Sequence, residues 1–321
     1  MITRNDFASL TDDLQDIFNE VASTKVAEMK GNKIFSVMDT NRRTYNHLIL
    51  HGISGIEEVT PGRDLPELTT EEGDSITYTQ RYFGALIPVT KDMRKFDLYN
   101  QIESIVRSVT EDAFDKIDQS YADDILYGWA TSYTDVYGKS VSAVGPDAVC
   151  LFSTAHTNNI NSTTFSTVIT SNPVLSRAAI NTARIQGLTH TDPLGIARPI
   201  NLDTLVVAPS NEDLAERILY STQMSGTGNN DINPLKGKVP NLVVWERLQT
   251  RSDGTDTSAY WFMYDSSKVG ESLKSLFAER PTLDPPDEVY TNKNWDYSLD
   301  FYYTTGRGYP AYIFGSNAGG S

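Results

Sequence analysis

The sequence predicts an α+β fold, on three observations. Leu98, Ile102, Ile105, Val109, Ala113, Ile117, Tyr121 and Ile125 recur almost entirely at four-residue steps with no Gly or Pro between them, which specifies one long helix. Between Asn172 and Ala278 helix and strand signals alternate, the pattern of a compact α/β lobe. Trp295, Tyr297, Leu299, Phe301 and Tyr303 take one face of a strand while Asp296, Ser298 and Asp300 take the other.

Bulk properties bound the function. A chain of 321 residues exceeds one average domain, and 39% hydrophobic with 21% charged residues is the balance of a folded protein. The formal net charge of −15 repels phosphate, and no cluster of Lys and Arg marks a nucleic-acid-reading module. Cys150, the single cysteine, sits in the apolar run Val149–Phe152, so no intramolecular disulfide forms and an inert, buried thiol is expected. No apolar run approaches the ~18–20 residues of a membrane helix, and Met1–Leu10 carries no signal peptide, so no membrane partner and synthesis in the cytosol are expected.

Taken in order, residues 1–51 read as an N-terminal arm. Phe7, Leu10, Leu14, Ile17, Phe18 and Val21 place an amphipathic helix over Arg4–Lys30, ended by Gly31-Asn32. Ile34–Leu50 reads as an extended segment that needs a partner surface. Residues 52–92 are rich in Gly, Thr, Glu and Asp, are broken by Pro61 and Pro66, and contain a strand-like run over Ser75–Phe83. They read as a long hairpin with too few apolar residues for a core of its own, and a two-stranded ribbon is marginal in water unless it lies on something else.

Residues 93–171 hold the long helix, with Asp97 as N-cap and Gly128 near its end. About 30 residues at ~1.5 Å each span roughly 45 Å. Asp112, Asp115 and Asp118 fall away from its apolar stripe, and Ser132–Ser171 reads as loops around one short strand at Val149–Phe152. Residues 172–278 form the α/β lobe: a helix opened by Asn172-Pro173 and closed by Gly187, a buried strand Thr204–Ala208, a helix capped by Ser210 with Asp213, and strands Leu242–Trp245 and Tyr260–Tyr264. Residues 279–321 return strands to the long helix, with a tight turn at Gly306-Arg307-Gly308, a final strand Tyr309–Phe314 and a mobile tail from Asn317.

Candidate chemistry is sparse. His47 and His51 share a helical face but lack the glutamate a zincin places between its histidines. Ser153 and His156 supply a nucleophile and a base without the Gly-x-Ser-x-Gly elbow. Gly226-Thr227-Gly228 lacks the glycine and lysine that complete a phosphate loop, and Asp253 with Asp256 lacks the closing glutamate of a calcium loop. The pairs Glu57-Glu58, Glu71-Glu72 and Asp123-Asp124 read as solvated faces. No catalytic, cofactor-binding or metal-ligating residue is therefore expected, and no cofactor.

The order of arm, hairpin, long helix, lobe and late strands resembles that of the Hong Kong 97-like major capsid proteins of tailed phages. Leu151-Phe152-Ser153-Thr154-Ala155-His156-Thr157-Asn158, Asp203-Thr204-Leu205-Val206-Val207-Ala208-Pro209 and Phe301-Tyr302-Tyr303-Thr304-Thr305-Gly306-Arg307-Gly308 resemble stretches of capsid proteins related to the Mu-like major head subunit group. The resemblance implies an extended hairpin known as the E-loop, a peripheral domain built on the spine helix and its sheet, and a compact axial domain. It further implies self-assembly through pentamers and hexamers into an icosahedral shell around double-stranded DNA, with a portal. No lysine lies in Gly52–Thr90, which argues against the covalent cross-linking of some relatives, and the short arm argues for a separate scaffolding protein. The alternatives are an encapsulin-like nanocompartment shell protein, which shares this fold, and a serine hydrolase built on Ser153 and His156.

Overall fold

The computed structural model describes the chain apart from residues 1–3, 51–57, 63, 66–71, 97–98, 158–163, 192–195, 224–230, 289–293 and 320–321. It begins with α1 (Arg4–Glu28), a 3-10 turn at Gly31–Lys33, β1 (Ser36–Asp39), β2 (Thr44–Leu50), β3 (Glu72–Thr79), β4 (Arg81–Val89), α2 (Lys91–Lys95) and α3 (Tyr99–Leu126). Two small hairpins follow, β5 (Ser132–Thr134) with β6 (Ser140–Ser142) and β7 (His156–Thr157) with β8 (Thr164–Phe165). Then come α4 (Arg177–Leu188), β9 (Thr204–Val207), α5 (Glu212–Tyr220), β10 (Asn241–Val244), β11 (Trp261–Tyr264), α6 (Val269–Ser272), β12 (Leu273–Glu288), β13 (Trp295–Arg307) and β14 (Ile313–Ser316).

Two four-stranded sheets organise these elements. The first runs β1-β12-β13-β4 and the second β10-β9-β11-β14. The alternation expected of 295–303 is observed: Tyr297, Leu299, Phe301 and Tyr303 of β13 are buried while Tyr302 is exposed. The buried face joins Ile102, Val106, Phe114, Ile117 and Tyr121 of α3 and Leu14 and Phe18 of α1 in one core. A second core surrounds the second sheet, where Leu205, Val207, Trp261, Met263 and Phe314 meet Ile180 and Ala183 of α4 and Leu219 of α5.

The long helix has the expected extent, but its stripe is rotated. At about 100° per residue Ile105 lies some 60° behind Ile102, whereas the buried set of Val106, Thr110, Ala113, Ile117 and Tyr121 lies ahead of it. Ile105 is accordingly 39% exposed. Asp118 lies off the stripe as expected, about 160° ahead of Ile102, yet is buried.

Other expectations are corrected by tertiary pairing. Ile34–Leu50 is no loose arm: Ile34 and Phe35 are buried, Phe35 stacks on Tyr121 at 4.7 Å, and β1 pairs in parallel with β12. A Cβ on Gly31 would lie 2.2 Å from the Tyr121 ring, so only glycine lets the chain pass the helix there. The run Ser75–Phe83 splits at Gln80, with β3 pairing with β2 in a separate two-stranded hairpin and β4 entering the first sheet beside β13.

Helix α4 starts after Ser176, whose Oγ accepts from Ala179 N at 3.2 Å, because Asn172 takes a positive φ of 48° that turns the chain first. Ser210 does not cap α5; Pro209–Asn211 form a 3-10 turn before it. Val149–Phe152 is not a strand, since Leu151 and Phe152 point into the core and only Cys150 pairs, with Val144. The final strand starts at Ile313 and joins the second sheet beside β11, so 279–321 serves both sheets. Asn317, expected in a mobile tail, is buried and hydrogen-bonded to Asn172.

Candidate assembly interface

The residues that suggested catalysis are structural. His156 is fully buried, its Nδ1 lies 2.7 Å from Asp147 Oδ2, and its ring stacks on Phe165. Nε2 faces Thr167 Oγ1 at 3.0 Å and the Leu151 carbonyl at 3.2 Å. Ser153 Oγ instead accepts from Ala155 N at 3.2 Å, so the nucleophile and base that a hydrolase needs are not joined. Thr167 is itself buried and donates to Leu151 O at 2.8 Å, which makes the group a clamp on the 147–167 loops. Asp147 was not singled out from the sequence, and nothing in its local pattern marks it.

His51 lies outside the described residues, as do Gly226-Thr227-Gly228 and the Glu57 and Glu71 members of the acidic pairs. His47 Nε2 lies 3.6 Å from Glu271 Oε2, and burial, followed by the nearby Lys274 ammonium, lowers its pKa below the ordinary 6.5. Asp253 accepts from Thr255 N at 2.8 Å and Asp256 from Ser258 N at 2.9 Å, each closing a turn on its own backbone. Cys150 is half-buried, its thiol pushed up by burial and donating to Phe152 O at 3.4 Å. Among the described residues no group of three His, Cys, Asp or Glu is placed to hold a metal.

Asp123 and Asp124 correct the reading of a solvated face, since both are buried at the end of α3. A helix leaves its last four carbonyls without intrahelical partners. Here Asp123 O and Ile125 O accept from Tyr127 N and Gly128 N, while Arg307, 2% exposed, donates from Nη2 to Asp124 O at 2.6 Å and to Tyr127 O just past the helix at 3.2 Å, and from Nη1 to Ala143 O. A cation at a helix C-terminus also opposes the macrodipole favourably. The Asp124 carboxylate accepts from Tyr133 OH at 2.7 Å. The Gly-Arg-Gly stretch expected to be a tight turn is thus the end of β13, capping the spine helix.

The same point anchors the β2–β3 hairpin. Tyr78 of β3 is buried against Gly306, where a Cβ would lie 2.3 Å from its ring, and its hydroxyl donates to Arg307 O at 3.2 Å. One face of the hairpin is covered, with Ile49 and Asp74 buried like Tyr78, and the other is open: Leu48 is 44% exposed, and Asn46, Ser75 and Thr77 are exposed. Beside it the outer face of the first sheet carries Tyr82 and Leu86 of the edge strand β4, with Tyr82 against Tyr302 at 4.6 Å between ring centroids. Two exposed surfaces thus converge on one fixed root, and such surfaces mark interaction sites.

A fold of this plan is that of viral shell subunits. The capsid of the empty GTA particle superposes with a TM-score of 0.53 at 12% identity, covering 89% of this chain and 88% of that one. The capsid of Myoviridae phage XM1 gives 0.51 at 11%, covering 87% and 88%. The mature capsid of bacteriophage PhiM1 gives 0.50 at 14%, covering 90% and 86%. No curated protein matches the sequence. The family described as phage capsid protein matches residues 71–314, and the chain belongs to it. It is a major capsid protein of tailed-phage type with the Hong Kong 97-like α+β fold, a structural component of the viral shell and not an enzyme.

Proposed function

We propose that the chain assembles through pentamers and hexamers into an icosahedral shell that encloses double-stranded DNA, and that it is made and assembled in the host cytoplasm with a separate scaffolding protein and a portal. The observation that carries this reading is the rooted, open β2–β3 hairpin beside an exposed sheet face in a member of the phage capsid family. The β2–β3 hairpin lies on a neighbouring subunit, α1, β1 and β4 pack with residues 93–171 and with β12 and β13 as the peripheral domain, and residues 172–272 with β14 form the axial domain around the symmetry axes. Covering the hairpin on a neighbour supplies the burial that a two-stranded ribbon lacks alone. No residue acts in catalysis, cofactor binding or metal binding.

Negative-stain electron microscopy of the purified protein tests the reading. Closed shells, or five- and six-fold rings, are expected, and a monomer at every concentration overturns it. DNA inside particles made during infection supports a genome container, whereas an enzyme cargo indicates the nanocompartment alternative. Each subunit carries −15, so assembly followed by light scattering should quicken as salt screens that repulsion, and fastest assembly at the lowest ionic strength contradicts this.

A further inference from the structure

We infer that the cleft between the Asn41–Arg43 turn and the outer face of the first sheet receives an extended acidic segment from a second copy of this chain; the inference rests on the assembly reading above. The cleft encloses about 470 Å³ and is walled by Arg42, Arg43, Gln80, Tyr82, Glu279 and Tyr302, among others. Three features converge there. Arg42 and Arg43 are adjacent and exposed and make no ion pair among the described residues, in a chain with 42 acidic against 27 basic residues whose other arginines include Arg81 paired to Asp135, Arg247 to Asp115 and Arg280 to Asp39.

Gln80 is the second feature. Its backbone N–H is used, donating to Arg43 O at 2.9 Å, but the residue is only 8% exposed and neither Nε2 nor Oε1 has a partner among the described residues. A carboxamide holds a donor and an acceptor side by side, which is the complement of a peptide C=O and N–H, so an incoming backbone supplies both missing bonds. The third feature is the Tyr82–Tyr302 pair, a rigid apolar floor for the methylenes of an acidic side chain.

Charge decides the occupant. Two arginines against Glu279 leave one net positive charge, which suits a single carboxylate held by a guanidinium. A nucleic-acid backbone would have to cross Asp284, Asp296 and Asp300, which share the outer face. Acidic side chains of a second copy are abundant and, in a shell, are presented at very high local concentration.

The test uses the full chain carrying Arg42→Lys and Arg43→Lys, which keeps the charge and supplies amines. Equal parts of 15N-labelled and unlabelled protein are mixed, concentrated under assembly conditions and treated with a carbodiimide, and the coupled peptides are read by mass spectrometry. Mixed-isotope peptides joining the substituted positions to an Asp or Glu are expected, and Gln80→Leu should reduce their yield about tenfold. In unlabelled full chain, Arg42→Glu with Arg43→Glu should raise the protein concentration needed for assembly about tenfold while leaving the monomer's thermal midpoint in place.

Coupling confined to one copy, as to Glu279, overturns the inference. So does the absence of coupling at these positions while other copy-to-copy links form, an outcome that leaves the assembly reading standing. A short DNA duplex that blocks the coupling assigns the cleft to nucleic acid instead. If no copy-to-copy link forms anywhere and no shell is seen, the assembly reading fails and the inference falls with it.

Discussion

The first half of α3 keeps one flank in solvent, with Gln101, Ser104, Ile105, Arg107, Ser108 and Asp112 exposed, whereas from Ala113 to Leu126 every residue is buried or half-buried. One helix with one period thus meets two environments. In the first half a charge costs and contributes little, as with Asp112 paired to Lys116 at 2.8 Å on the surface. In the second half each acid is provided with donors. Asp118 accepts from Gly31 N at 3.2 Å and Trp245 Nε1 at 3.1 Å, Asp123 from Gln119 Nε2 at 3.0 Å and Ser252 N at 3.2 Å, and Asp124 from Tyr133. The lesson is that buried acids serve here as junctions, each tying the spine to a different part of the chain.

The largest way to break that contrast is Arg307→Leu, which strips the donor from the Asp124 carbonyl and from the Tyr127 carbonyl just past α3 and leaves Asp124 without a buried countercharge. A loss of about 5 kcal/mol is expected, seen as insolubility or a collapsed urea midpoint. Stability close to the parent's would mean that the second half of the spine is not held by its polar contacts. Next, Ile117→Asp places an unpaired charge at a 1%-exposed position and should cost on the order of 4 kcal/mol, while Ile105→Asp should cost less than about 1. Equal losses in denaturant titrations would erase the difference between the halves.

Trp245→Phe sharpens the contrast further. It removes one of the two donors to Asp118 from a fully buried ring, and about 2 kcal/mol is expected by thermal unfolding. The smallest effect concerns pH. Burial raises the carboxyls of Asp118 and Asp123 above the ordinary 3.8, so the folded state binds their protons more tightly than the unfolded chain does. Their contribution to stability is therefore greatest below 3.8 and is lost as pH rises from there through the raised folded-state value. Asp123→Asn should flatten that fall in a plot of thermal midpoint against pH, and an unchanged slope would contradict it.

Periodicity carried the legible part of the fold. The spine, the buried strand Thr204–Val207 and the alternation of β13 each depend on local spacing, which the sequence displays directly. What escaped depends on which surfaces meet. Ile105 and Ile117 look alike on a stripe, and only the positions of α1 and the first sheet separate them. Asp123-Asp124 reads as a wet face because the donors that satisfy it come from Gln119, Ser252 and Tyr133 on other turns and loops. Arg307 was hidden by its flanking glycines, which signal a turn but here admit close neighbours, Tyr78 at Gly306 among them. The hairpin at the candidate interface was legible as a ribbon lacking its own core, but its strands were displaced from the expected positions because Gln80 divides two sheets.

The pairing of β14 with β11 bears on how the subunit is made. The first sheet draws its strands from early and late parts of the chain, and the second takes three from the middle and its fourth only after β13 has completed the first. The second sheet therefore cannot close until every strand of the first has been made, which couples the completion of the second core to that of the first. Residues 172–278 expressed alone would lack Ile313–Ser316 and leave the β11 edge bare. An interrupted synthesis would accordingly yield an aggregation-prone fragment, and a subunit fit to join a shell exists only once both sheets are closed.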